Sequence, residues 1–329
     1  MNIRDIYELA VEMGVNHDPR GIDTVNKELL NQKKLYEKIT DEADKNLYDK
    51  DKLTNPYSDS RILFDGGVAL CDKEIKKIMV GVDIDTAELL LADRLNQKAG
   101  DGEEIGLVIA HHPLGKALAS LADVMSLQCG YMETVGIPPH VASGIMAERI
   151  GVVSRSVSGS NHYKTVDAAA ALGIPLMCVH TPADNMVTAF LQNLVEEKQP
   201  ETVGDFITLL KEIPEYAKSA ENNAPPRILA GRSENKLGKT YIDFTGGTSG
   251  SEDMFERLSS AGISTVVVMH MSEKHLEAAK KQLMNVVLAG HISSDSLGLN
   301  ILLDALSSKG IEIVPVSGLI RVERNKNKK

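Results

Sequence analysis

Short apolar runs recur along the chain, and several end in the same kind of residue. Leu107 to Ala110 is apolar throughout and is followed by His111, His112 and Pro113. A run without polar alternation reads as a strand buried on both faces of a parallel sheet, and the proline stops its ladder. Ile174 to Val179 repeats the design and closes on His180-Thr181-Pro182-Ala183-Asp184. Val286 to Ala289 repeats it again and closes on Gly290-His291-Ile292-Ser293-Ser294-Asp295. Ile75 to Val82 is a fourth such strand, ending in Asp83-Ile84-Asp85-Thr86. Asp85 or Thr86 caps the helix carrying Leu89, Leu90, Ala92 and Leu95. Asp83 reads first as a cap or turn acid, with orientation of a neighbouring histidine as the second reading.

The C-terminal half alternates strand and helix. The expected elements are Ile228 to Ala230, Thr240 to Thr245, Ser251 to Ala261, Ile263 to Met269, Glu273 to Leu283, Val286 to Ala289, Leu297 to Leu306 and Ile311 to Val316. Such alternation builds βαβ units. Before it, helices are expected from Ala183 to Glu196 and through a linker over 196–226. The first 70 residues are helical in character: Ile3, Ile6, Tyr7, Leu9 and Ala10 share a face, and Val25, Leu29, Leu30 and Leu35 continue the pattern. The boundaries are 1–73 for a helical N-terminal extension and 74–329 for an α/β core with an insertion near 115–173. The extension reads as a packing or docking element, and the insertion as a pocket wall or lid. Arg321 to Lys329 is a basic, frayed tail.

Three strands that each end on histidine deliver their imidazoles to the carboxyl edge of a sheet, where open α/β proteins build sites. In His180-x-x-x-Asp184 and His291-x-x-x-Asp295 the two residues lie on one helical face. Pooled, the candidate metal ligands are His111, His112, His180, Asp184, His291 and Asp295. That set exceeds one tetrahedral zinc and suits two adjacent divalent ions. Nitrogen and oxygen ligands without cysteine favour Zn, Mn, Fe, Co or Ni over Ca or Mg. His17, His140, His162 and His270 show no comparable pattern. Gly246 to Glu252 is a glycine-rich turn in which Ser249 or Ser251 caps a helix; it becomes an anion cradle if it faces the metals.

Composition narrows the partners. Aromatic residues make up only 4% of the 329 residues, Trp is absent and the formal net charge is −10. Stacking on single-stranded nucleic acid and binding to phosphate backbones or anionic membranes are therefore disfavoured. Cys71, Cys129 and Cys178 form no CxxC pair and suit a reducing cytoplasm. The charged, amphipathic N-terminus is not a signal peptide, and no apolar run approaches a membrane span.

The ordered motifs HHPLG, HTPAD and GH-x-x-x-D resemble those of the NGG-interacting-factor-three-like proteins, often labelled GTP cyclohydrolase type-two homologues. That family's pattern is HHP, a His-Thr-Asn-x-x-Asp-like segment and a C-terminal Gly-His-x-x-x-Glu. The resemblance covers about 75–115 and about 174 to the end. It implies a dinuclear metal site, a cytoplasmic protein and a ring of six chains, with the same six ligands by position. Asp295 stands where the family has Glu, and Thr181-Pro182 where it has Thr-Asn. The family's Thr-Gly-Asp shortly before a histidine is here Met269-His270-Met271, with the histidine kept as His275, the candidate proton-transfer residue.

The expected fold class is α/β: two α/β lobes with mixed or mostly parallel sheets around a central dinuclear site, plus the helical extension. No Ser-His-Asp or reactive-cysteine arrangement is visible. Metal-assisted hydrolysis of a phosphorylated or nucleotide-like small molecule is the expected activity. The competing reading is a non-catalytic metal-binding adaptor or regulatory protein.

Overall fold

Two sheets that share a strand order over four strands, the first with a fifth strand on its edge, make up the framework of the computed structural model, which describes residues 1–67, 71–100 and 102–325. The described strands are β1 (Arg61–Phe64), β2 (Lys77–Gly81), β3 (Leu107–Ala110), β4 (Leu176–Cys178), β5 (Arg227–Ala230), β6 (Thr240–Asp243), β7 (Thr265–Val268), β8 (Asn285–Leu288) and β9 (Glu312–Val316). The first sheet runs β1-β4-β3-β2-β9 and the second β5-β8-β7-β6. In each, the first strand is antiparallel to its neighbour and all other pairs are parallel. The expected two mostly parallel α/β sheets are present.

Alternation along the strands assigns the cores. Ile78 and Val80 of β2 face a cluster that includes Ile3, Ile6, Tyr7 and Ala10 of the N-terminal helix Ile3–Asn16. Met79 faces the opposite cluster with Leu89 and Ala92. Two helices lie between the sheets. Thr181–Lys198 gives Ala183 and Met186 to the first sheet's core, and Val187 and Leu191 to the second's. His291–Ser308 likewise gives Leu299 and Leu302 to one and Leu297 to the other. Burial of this apolar surface on both sides fixes the two helices, and with them the ligands on their first turns. The other face of the second sheet is covered by Ser126–Thr134 and Pro139–Ser158, so residues of the expected insertion build a core there.

Several local expectations are corrected. β1 lies in a region read as helical; it is a four-residue edge strand opening on Arg61, too short to show a period. In the helix Ile22–Glu37 only Val25 is buried, while Leu30 and Leu35 are exposed. The tail is not frayed as far as it is described. Arg324 pairs with the buried Glu215 at 2.7 Å, and Arg321 with Asp304 at 2.7 Å. Residues 326–329 of that tail lie outside the described residues. Among the described residues, no helix is long and apolar enough to cross a membrane.

Candidate metal centre

The carboxyl ends of β3, β4 and β8 converge. His111 and His112 follow β3 directly. His180 caps the helix Thr181–Lys198, with Pro182 in the first turn, where its missing N–H costs nothing. Asp184 follows one turn later, on the positive end of the helix dipole. After β8, Gly290 takes φ +117°, which favours glycine, and turns the chain into the helix that begins at His291 itself. Asp295 follows one turn later. The structure thus brings together all six residues singled out by spacing.

Their donor atoms share one small volume. Nε2 of His111 lies 3.5 Å from Oδ1 of Asp184 and 3.5 Å from Oδ1 of Asp295. Nε2 of His180 lies 3.8 Å from Oδ2 of Asp184. Oδ2 of Asp295 lies 3.5 Å from Nε2 of His291 and 3.7 Å from Nε2 of His112. These separations are long for hydrogen bonds. They match two ligand atoms on one tetrahedral ion, which stand roughly 3.4 Å apart when each bond is about 2.1 Å. In three overlapping groups the donor atoms all lie within 4.8 Å of one another: His111-His112-His180, His112-His291-Asp295 and His111-Asp184-Asp295.

The opposite ring nitrogens are held. Nδ1 of His111 meets the carbonyl of Val179 at 3.0 Å, Nδ1 of His112 meets Oδ1 of Asp83 at 2.6 Å, and Nδ1 of His180 meets Oδ2 of Asp59 at 2.8 Å. The second reading of Asp83 is the one the structure follows. Each contact is satisfied by a proton on Nδ1, which leaves the Nε2 lone pair aimed inward. Nε2 of His111 and both carboxylate oxygens of Asp295 are buried without a hydrogen-bond partner. Buried polar atoms are rarely left so. A donor set of imidazole nitrogens and carboxylate oxygens with orphaned inner atoms fits divalent transition metals.

The electrostatics point the same way. Burial pushes the His112 imidazole down to about 4, helped by His111 and His180 and against the pull of Asp83. Burial would also lower His111, but the charges of Asp295 and Asp184 outweigh it and its pKa is raised. Burial raises Asp184 well above the carboxylate range. Burial acts the same way on Asp295, but the surrounding His111, His291 and His112 hold it below. Opposed shifts among touching groups mark a site built for charge.

A cavity of about 50 Å³ opens beside the cluster, lined by His180, Asp184, His291 and Asp295. Gly247, Thr248 and Ser249 line the same cavity, so the glycine-rich loop borders it together with the cluster. Its glycines are required by packing: a Cβ on Gly246 would strike Gln128, and one on Gly247 would strike Val124 and Leu121.

Three further residues at the cluster or its cavity lie outside the sequence reading. Asp59 lies in the extension, with no nearby motif to flag it. His270 lines the cavity, with its ring 4.9 Å from that of His291 and edge-on. Gly81 of β2 pairs with Ala110, and Asp243 of β6 pairs with Val268; His112 and His270 each lie two residues beyond the third strand's paired residue. His270 is therefore the second sheet's counterpart of His112, and its place after an apolar run was the available signal. Asp243, at the end of β6, also lines the cavity. His275 does not line it. Its Nδ1 meets Oγ of Ser272 at 2.6 Å and its Nε2 faces the carbonyl of Gly250 at 3.0 Å.

These features define an α/β protein whose two sheets carry between them a buried His/Asp cluster able to hold metal. The structure of a NIF3 superfamily protein from Sphaerobacter thermophilus superposes with a TM-score of 0.68 at 28% identity, covering 80% of this chain and 92% of that one. Reduced HcgD from Methanocaldococcus jannaschii gives 0.47 at 17% identity, over 74% and 84% of the two chains. A Bacillus cereus protein related to NIF3 gives 0.42 at 11%, over 78% and 91%. Neither a family model nor a curated protein matches the sequence. The ordered motifs and the Sphaerobacter likeness together support a NIF3-like family assignment.

Proposed function

We propose that the protein is a dinuclear-metal-dependent hydrolase of a phosphorylated or nucleotide-like small molecule. The observation that carries the metal reading is the set of inner atoms without partners, His111 Nε2 and both oxygens of Asp295. His111, His112, His180, Asp184, His291 and Asp295 would hold two divalent ions, drawn from Zn, Mn, Fe, Co or Ni. Bound there, the ions would supply Lewis-acid polarisation and acidify water for attack. Val179, Asp83 and Asp59 fix three imidazoles so that reorganisation during turnover is small. Thr248 and Ser249 line the same cavity and would offer polar groups to a phosphoryl oxygen. His270, beside His291, faces the substrate.

The family resemblance supports a homohexamer, and three cysteines with no disulfide among the described residues suit a reducing cytoplasm. The small cavity favours, as second reading, a metal-binding protein without turnover. Purified protein loaded to graded occupancy with zinc or manganese should hydrolyse p-nitrophenyl phosphate or a nucleotide in proportion to occupancy. Full occupancy with no turnover of either would leave the second reading standing.

A further inference from the structure

We propose that Asp59 is a positioning residue of the metal centre, and that the N-terminal segment therefore completes the site. The inference rests on the metal reading above and not on hydrolysis.

Asp59 is fully buried, just ahead of β1. Oδ2 meets Nδ1 of His180 at 2.8 Å and accepts from Oγ1 of Thr181 at 2.6 Å. The neighbouring Ser60 takes the other end of the same residue: its Oγ accepts the backbone N–H of His180 at 2.9 Å. Two adjacent residues thus grip His180 by its ring and by its main chain. The grip is itself anchored. Oη of Tyr7 and Nδ2 of Asn55 both donate to the Ser60 carbonyl, at 3.2 and 2.9 Å. Arg61 could have neutralised Asp59, but its guanidinium goes to Asp49 and to the carbonyls of Tyr57 and Ser60.

The chemistry follows from what a carboxylate can do. It only accepts, so a hydrogen bond to Nδ1 requires the proton on Nδ1. The Nε2 lone pair of His180 is then committed toward Asp184 and the cluster. Asp83 does the same for His112 from an exposed position; Asp59 does it in the core, where solvent cannot substitute. A purely structural Asp59 would only tie β1 to the start of the helix Thr181–Lys198, which the Thr181 bond alone achieves.

The two roles separate on Asp59→Asn. An amide keeps the size, but both contacts fall on Oδ2, so an NH₂ turned into that place donates to Nδ1 and to the Thr181 hydroxyl together and drives the ring proton to Nε2. The imidazole nitrogens of His180 are read by ¹⁵N NMR on chelator-treated full-length protein at pH 8. Nδ1 should be protonated in the wild type and unprotonated in Asp59→Asn. Zinc affinity, from competition with a chromophoric chelator, should fall about ten- to a hundredfold in the variant. Thr181→Val should leave the proton on Nδ1. An unprotonated Nδ1 in the wild type overturns the proposal without any variant. So does an Asp59→Asn protein that keeps the Nδ1 proton and binds zinc within about twofold of wild type. A wild type that binds no zinc defeats the metal reading alone, and the tautomer comparison still decides the role of Asp59.

Discussion

The Nε2 atoms of His112 and His291 lie 3.4 Å apart, one imidazole delivered by each sheet. Both also face Oδ2 of Asp295, which has no hydrogen-bond partner. Two lone pairs and a carboxylate at this range repel unless a proton or a cation lies among them. Elemental analysis of protein purified without chelators should therefore approach two ions per chain. Asp295→Ala should lower the metal content and abolish turnover. Asp295→Asn should keep part of the metal without turnover, and Asp295→Glu should keep metal with altered turnover. A fully loaded protein holding one ion, indifferent to His180→Ala, would refute the dinuclear reading.

His270 and His275 make opposite predictions. His270 faces the cavity and makes no hydrogen bond or ion pair among the described residues, and burial with the nearby His291 lowers its pKa. His270→Ala should reduce hydrolysis of p-nitrophenyl phosphate by about a hundredfold, the lower end for loss of a group exchanging protons with the substrate, with metal content unchanged. His275→Ala should alter turnover less than about threefold, because among the described residues its ring meets Ser272, Gly250 and the edge of Phe255 and lies outside the cavity lining. Steady-state rates of the two metal-matched variants decide between them.

Gly298 sits where the two central helices cross. A Cβ there would run into the carbonyl oxygen of Ala183, the residue before Asp184. Backbone cannot swing aside as a flexible side chain does, so the helices must separate. Gly298→Ala should cost about 1–3 kcal/mol in urea unfolding of the chelator-treated protein. It should also weaken metal binding, since Asp184 and Asp295 ride on the separated helices. Unchanged stability and unchanged affinity would show that the crossing can relax.

Asp243 supplies a pH signature. Burial pushes its carboxyl from an ordinary 3.8 up to about 7. Between those values the unfolded chain binds fewer protons than the folded one, so this residue's contribution to stability falls as pH rises and levels off above about 7. Asp243→Asn should match the wild type near pH 4 and exceed it at pH 8. The full shift would give about 4 kcal/mol; the side chain opens on a cavity, so about 1–2 kcal/mol is expected. Urea titrations at the two pH values, on chelator-treated protein, measure the difference. An equal gain at both would assign the effect to something other than ionisation.

The six clustered residues were legible because their signal is local: an apolar run, a histidine at its end, and a carboxylate one turn later. Asp59 was not, because its partner is 121 residues away and nothing in Ser58-Asp59-Ser60 announces it. His270 was visible in principle, since it follows an apolar strand as His111 does. It lacks the carboxylate four residues on that marks His180 and His291, although His112 has none either. The proton-transfer role expected of His275 rests on the family's order of residues; the cavity is lined by the earlier histidine, His270. The tail misled through composition: a run of basic residues reads as solvated until buried Glu215 supplies a partner.

The shared strand order of the sheets has a mechanical consequence. His111, His112, His180 and Asp184 are rooted in the first sheet, and His291 and Asp295 in the second. Neither half carries the whole set, so an ion bound by both becomes a tether across the molecule. Loaded protein should yield to pulling force as one body, and stripped protein should part first along the seam between the halves. Free metal at a hundred times its dissociation constant would strengthen that seam by about 2.7 kcal/mol, so the cell's metal supply would set how firmly the two halves stay closed.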